Sequence, residues 1–342
     1  MTTNKMKKFI YIAVAICFFM QSFIYTACSD WTEFEAESYY ELPDPLSKDL
    51  RYYYNSPHKK MFGWFGNWAG KGASMQYALS ALPDSVDFVS LWLCWGNLTP
   101  AQQEDLKEFQ ARGSKALFCW RAGDIGDNLT PGGNDDQLKK EFWGIEEGNI
   151  NSYIEAAKKY ALAIVDSCNK YNVDGFDYDI EDQGTLMDFG NPEIPNTFLR
   201  TLREEFNKTG KMLVVDIPGD TWWLDYYRVL ENDVIESLDH IIWQTYGGNQ
   251  AFLDNFFTGN SGSVQQSNPA MFEVTMKKSI ITATFEQADL KYIFEEQATY
   301  HPSCGIEHAG NGAYHIEYDY TGNPDYPTVR AAISKLNPPI NK

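Results

Sequence analysis

The chain has 342 residues, a formal net charge of −19, 44% hydrophobic residues and 15% aromatic ones. A surface this acidic excludes a phosphate-backbone partner, so nucleic acid is set aside. The five histidines form no HExxH pair and the six cysteines no CxxC spacing, so no metal and no cofactor is expected.

The N-terminus reads as an export signal, because Lys5, Lys7 and Lys8 precede an apolar run from Phe9 to about Ile24. Tyr25-Thr26-Ala27-Cys28 closes that run with small residues directly before a cysteine, and it resembles the lipobox at which bacterial lipoprotein precursors are cut and acylated. An ordinary cleavage site with Cys28 as a bystander is the alternative. The expectation is a signal peptide over 1–27, lipidation at Cys28 and a tether over 28–58, acidic and rich in Tyr and Pro. No later stretch reaches the roughly 18 apolar residues of a spanning helix, so the lipid anchors the chain to the membrane without a span. Export to the bacterial envelope, at the outer membrane surface, follows as the expected location.

From 59 to 342 the chain reads as one domain. Short apolar runs alternate with helical patterns: Met61–Asn67, Met75–Leu82, Phe88–Trp95, Ala101–Arg112 and Ala116–Trp120. Tyr153, Ala157, Tyr160, Ala161, Ile164 and Cys168 recur every three or four residues and predict an amphipathic helix. Val173–Glu181 predicts a strand, Phe198 to Phe206 a helix that Gly210 ends, and Met212–Ile217 a strand closed by Pro218-Gly219. Trp222–Leu230 can be helical, Leu238–Tyr246 and Ser279–Phe285 are strands, Tyr314–Tyr320 is the expected last strand, and Thr328–Leu336 a final helix. Asn249–Lys278 is long and rich in Gly, Ser and Asn, and reads as a substrate-side loop insertion with an irregular helix. Eight strands with helices between them predict an α/β fold, a closed (β/α)8 TIM barrel in a single domain. Of Cys94, Cys119, Cys168 and Cys304, the first two sit in apolar segments and read as buried thiols, although export would permit a disulfide. A monomer is the default.

The most informative segment runs Val173-Asp174-Gly175-Phe176-Asp177-Tyr178-Asp179-Ile180-Glu181. Its acids at 177, 179 and 181 alternate with bulky apolar residues, so a strand places all three on one face, pointing into the barrel near its C-terminal mouth. Neighbours on that face are about 6.6 Å apart, where two unit charges repel by roughly 2.5 kcal/mol at an effective dielectric of about 20. One acid should therefore keep a proton near neutral pH, and the expected holder is Glu181, closest to the mouth, as a general acid. A calcium loop and a solvated acidic strand end are the alternatives. The first lacks the glycine and distal glutamate at their offsets, and the second would not turn three acids inward.

Asp174 to Glu181 resembles the DGxDxDxE signature of family 18 glycoside hydrolases throughout, on the strand where that family carries it. The resemblance implies retaining hydrolysis without an enzyme nucleophile: the substrate's own 2-acetamido oxygen attacks the anomeric carbon, so the substrate carries N-acetylglucosamine. By motif position it implies Glu181 as acid and then base, Asp179 as the residue that orients the acetamido group, and Asp177 as its electrostatic support.

On the sixth strand Gln244 and Tyr246 share a face. A Gln-x-Tyr here resembles the endo-β-N-acetylglucosaminidase branch of the family, whereas its chitinases more usually show Met-x-Tyr. Taken alone, Gln244 is equally a satisfied barrel-interior amide. The third strand lacks the family's Ser-x-Gly-Gly turn, and Tyr314 stands where a tryptophan often floors the sugar site. Trp64, Trp68, Trp95 and Trp120 lie near strand ends and either stack on sugar or belong to the core; Trp120 is taken as a substrate contact, with Asp216 at the end of the fifth strand. The expected function is cleavage between the two core N-acetylglucosamines of N-linked glycans. A chitinase and a non-catalytic surface glycan-binding lipoprotein are the alternatives.

Overall fold

The computed structural model describes residues 44–338, apart from 73 and 322. The signal segment 1–27, the lipidation candidate Cys28 and the tether up to residue 43 lie outside the described residues.

Eight parallel strands close into a barrel in chain order: β1 (Lys60–Phe65), β2 (Phe88–Trp92), β3 (Lys115–Arg121), β4 (Gly175–Asp179), β5 (Met212–Pro218), β6 (His240–Gln244), β7 (Ser279–Thr284) and β8 (Gly310–Tyr314). Each pairs with the next, and β8 returns to β1. Period-two alternation divides the strand residues into two cores. Phe62, Trp64, Phe88, Leu117, Cys119, Val214 and Ile242 fill the barrel, while Val89, Leu91, Phe118, Phe176, Tyr178 and Val215 pack outward against the helices.

The helices carry the end signals their sequences promise. Thr99 caps Pro100–Ala111: its hydroxyl oxygen accepts from the Gln102 N–H at 3.2 Å, and the Gln102 side-chain carbonyl accepts from the Thr99 N–H at 2.9 Å. Ile150–Tyr171 buries Ala157, Tyr160, Ala161, Ile164 and Cys168 on the barrel side, and Glu193–Thr209 stops where Gly210 turns left-handed. No described helix is long and apolar enough to cross a membrane. Cys94, Cys119, Cys168 and Cys304 are free thiols.

Three elements differ from expectation. The last strand is Gly310–Tyr314, and Ile316–Asp319, inside the expected strand, forms a 3-10 turn. The strand hides because two of its residues are glycines, chosen for close backbone approach rather than strand propensity. A Cβ on Gly310 would stand 2.1 Å from the Lys60 carbonyl oxygen. Asn249–Lys278 is not an irregular insertion but three helices, Gln250–Thr258, Val264–Ser267 and Phe272–Lys278. They bury Leu253, Phe256, Phe257 and Met276, and the Phe256 ring meets Trp243 of β6 at 5.1 Å, so the segment is largely the β6–β7 crossover. Finally, a helix spans Asp44–Asn55 within the expected tether. Leu50 is buried and the Tyr54 hydroxyl meets the Val86 carbonyl at 3.0 Å and Ser114 at 2.8 Å, so the folded body starts before residue 59.

Candidate active site

The motif on β4 divides into a scaffold and a face of acids. Asp174 is scaffold: one carboxylate oxygen accepts from the Ala116 N–H and from the Gln110 amide, both at 2.9 Å, which pins the entry of β4 to β3. Gly175 is scaffold too, because a Cβ there would meet the Met212 carbonyl oxygen at 2.1 Å. Phe176 and Tyr178 face outward, the Tyr178 hydroxyl donating to the Ala122 carbonyl at 2.8 Å. Asp177 and Asp179 face the interior and are buried. Glu181 lies two residues beyond the strand at the mouth, with its side chain 26% exposed.

Asp179 stands level with Asp216 of β5, so two carboxyls from adjacent strands share the interior with Asp177. Ser90 donates to Asp177 at 2.6 Å. The Gln244 amide nitrogen donates to Asp216 at 2.6 Å and to Glu181 at 2.7 Å, and lies 3.4 Å from Asp179. Gln244 is therefore a tie between three acids, which resolves the two sequence readings of its position into one: a satisfied interior amide that sits in the site.

Electrostatics favour protons on the deep acids. Burial pushes the Asp177 carboxyl up to about 6. Burial, and then the charge of Glu181, pushes Asp179 well above the carboxylate range; burial, and then the charges of Asp179 and Asp177, does the same to Asp216. Desolvation, and not mutual repulsion along the strand alone, is thus the first cause that raises these three deep acids. Oδ1 of Asp177 and Oδ2 of both Asp179 and Asp216 are buried with no other hydrogen-bond partner, which suits protons shared within the cluster. Cys119 brings its sulfur within 4.8 Å of ligand atoms on Asp177 and Asp216, but burial and the neighbouring acids hold its thiol protonated, a poor state for metal ligation.

Above the acids lies a cavity of about 190 Å³ between Trp64, Trp92, Arg121, Asp179, Glu181, Gln244, Tyr246 and Tyr314. Tyr246 and Tyr314 stack at 5.6 Å with an interplanar angle of 23°, and the Trp64 ring meets each edge-on at 6.1 Å. The floor is an aromatic box. On one side the cavity shares Trp92 and Tyr314 with a recess of about 660 Å³ that also reaches Trp68 and Trp95. On another it shares Gln244 and Tyr246 with a hollow of about 360 Å³.

Asp177, Asp179, Glu181, Asp216, Gln244, Tyr246 and Tyr314 therefore come together. Trp120 does not. It is fully buried on the helix side of β3, edge to face with Phe176 at 4.7 Å and donating from its indole to the Tyr160 hydroxyl at 3.0 Å, so it cannot touch a substrate. The physical reason is parity, since Leu117 and Cys119 take the inward positions of β3. The same parity makes Arg121 the inward residue at the strand's mouth, a residue the sequence reading missed. Its guanidinium grips Asp182 at 2.6 to 3.0 Å and reaches Glu181 at 3.4 Å. Parity on β2 would likewise have found Ser90 and Trp92.

A model for glycoside hydrolase family 18, BT1044-like, matches residues 27–255. Among solved structures, BT1044 itself, as a selenomethionine protein with a glutamate-to-glutamine substitution, is 34% identical with a TM-score of 0.72, over 87% of this chain and 94% of that one. The chain belongs to glycoside hydrolase family 18. An endo-β-N-acetylglucosaminidase from Cordyceps militaris shares the fold at 19% identity and a TM-score of 0.62, over 87% of this chain and 97% of the other. A family 18 chitinase from Pseudoalteromonas aurantia shares it at 13% identity and 0.53, over 81% of this chain and 100% of the other. No curated protein sequence matches. As a family 18 chain it keeps the whole acid motif, with Arg121 near the glutamate that ends it.

Proposed function

We propose that the protein is an endo-β-N-acetylglucosaminidase that cleaves between the two core N-acetylglucosamines of N-linked glycans. The observation that carries this is the placing of Glu181 at the rim of a cavity just large enough for a sugar ring, with Asp179 and Asp177 stacked beneath it and an aromatic box for its floor.

In this reading the ring retained by the enzyme lies over Trp64 and Tyr314, with its acetamido group between Asp179 and Tyr246. The acetamido carbonyl oxygen bonds to the anomeric carbon as the glycosidic bond breaks, and the departing oxygen takes the proton of Glu181. Water then attacks the anomeric carbon from the vacated side, the bond to the acetamido oxygen breaks to restore the acetamido group, and the water gives a proton to Glu181. Two inversions make net retention. Asp179 orients the acetamido group and offsets the positive charge that develops on it, and Asp177 and Asp216 exchange the proton that lets Asp179 change charge.

A branched N-glycan rather than chitin is supported by shape. The one-sugar cavity opens at Trp92 and Tyr314 into a recess more than three times its volume, which suits a branching arm better than a linear chain. Support comes also from the Gln244-x-Tyr246 pair, which resembles the endo-β-N-acetylglucosaminidase branch of the family. The Cordyceps militaris enzyme has been solved with fucosyl-N-acetylglucosamine-Asn, the peptide side of such a cleavage.

The test is glycan release from a panel of defined N-glycoproteins, read by mass spectrometry beside Glu181→Gln. Expected are products ending in one N-acetylglucosamine, lost with the variant by about a thousandfold or more in rate. Glycan binding without release by the wild type, chitin oligomers also remaining intact, would instead establish a binding protein.

A further inference from the structure

After β5 the chain turns at Pro218-Gly219 into a 3-10 turn, Thr221–Trp223, held by the Asp220 carboxylate, which accepts from the Trp222 N–H at 3.1 Å. Two tryptophans follow each other there. Trp222 is 87% exposed, the most exposed large apolar side chain among the described residues. Trp223 is partly exposed and stacks on Tyr226 at 5.6 Å with an interplanar angle of 15°. The Tyr226 hydroxyl in turn donates to the backbone carbonyl of Glu181 at 2.9 Å. Trp223 is thus tied through Tyr226 to the backbone that carries the candidate acid. Trp222 adjoins Trp223, itself exposed, and Trp223 lines a hollow with the exposed Phe252, so apolar side chains gather here rather than standing singly, which marks a contact surface.

The barrel decides which part of a substrate lies there. Strand β4 stands opposite β8 in the ring of eight. The retained sugar sits toward Trp64 of β1 and Tyr314 of β8, whereas Glu181, beyond β4, must reach the oxygen that leaves. The leaving side of the substrate therefore extends over β4 and its neighbour β5, where the tryptophans are. Trp223 and Phe252 flank the 360 Å³ hollow that continues the catalytic cavity past Gln244 and Tyr246, room for the departing sugar. Trp222 is not among the residues of that hollow but directly precedes Trp223, which is. The charged groups on this turn are Asp220 and Asp225, and Arg228 is paired with Asp225 at 2.6 Å, so an anionic partner is disfavoured.

We propose that Trp222 contacts the polypeptide flanking the glycosylated asparagine, so that the enzyme reads the protein side of its substrate as well as the glycan side. This rests on the endoglycosidase reading above. The experiment compares the wild type with Trp222→Ala and Trp222→Phe on two substrates: a glycopeptide, and the same glycan with a free reducing chitobiose end. The readout is the ratio of kcat/KM between them. Trp222→Ala should lower that ratio about tenfold through KM on the glycopeptide, and Trp222→Phe should restore most of it. An unchanged ratio, whether both rates fall together or neither falls, overturns the proposal while leaving the enzyme reading intact. Cleavage of neither substrate by the wild type overturns both.

Discussion

Replacing Asp216 by Asn removes one of three buried carboxyls without changing the volume it fills, and its effect should depend on pH in a defined direction. For Asp177 the folded state raises the carboxyl from an ordinary 3.8 to about 6, and Asp179 and Asp216 are raised further by burial and by one another. A folded chain then binds more protons than an unfolded one above about pH 4, so stability falls as pH rises. The fall begins near the unfolded value of 3.8 and, for Asp177, is complete above about 6; for the other two it continues to higher pH. For Asp177 alone the loss is about 3 kcal/mol, from about 1.4 kcal/mol per pKa unit. Asp216→Asn removes its own contribution and relieves both neighbours, while its amide oxygen can still accept from Gln244. The variant should match the wild type near pH 4 and exceed it by about 1–3 kcal/mol at pH 8. Urea unfolding at pH 4, 5, 6, 7 and 8 measures this. A difference that is constant across that range, or a variant less stable at pH 8, would refute the picture of neutral acids held by desolvation.

Trp120→Phe should destabilise the fold by about 1–3 kcal/mol, through lost packing and the orphaned Tyr160 contact, and leave KM unchanged; a raised KM with unchanged stability would return Trp120 to the substrate site. Gly175→Ala should give little soluble protein, because its Cβ would sit 2.1 Å from the Met212 carbonyl oxygen; a variant with wild-type unfolding behaviour would show that β4 and β5 are not so closely apposed.

Much of this was legible along the chain. The alternation of apolar and helical runs announced the barrel because each element must bury one face, and burial imprints a period of two or near 3.6 on the residues. Asp177, Asp179 and Glu181 were legible for the same reason, their parity being printed beside Phe176, Tyr178 and Ile180. The expected export signal and lipidation of Cys28 rest on sequence alone and fall outside the described residues. Tertiary structure decided what depends on neighbours remote in sequence. Strand β8 was expected several residues too late because Gly310 answers to the backbone of Lys60, 250 positions away, and leaves no hydrophobic pattern. Trp120 misled because a tryptophan near a strand end can point either way, and only barrel closure, which takes Leu117 and Cys119 inside, turns it to the helices and Arg121 to the mouth. How far the deep acids Asp179 and Asp216 are raised was beyond local spacing too. Repulsion along one strand is a sequence property, but desolvation by eight closed strands is not, and desolvation is the larger effect.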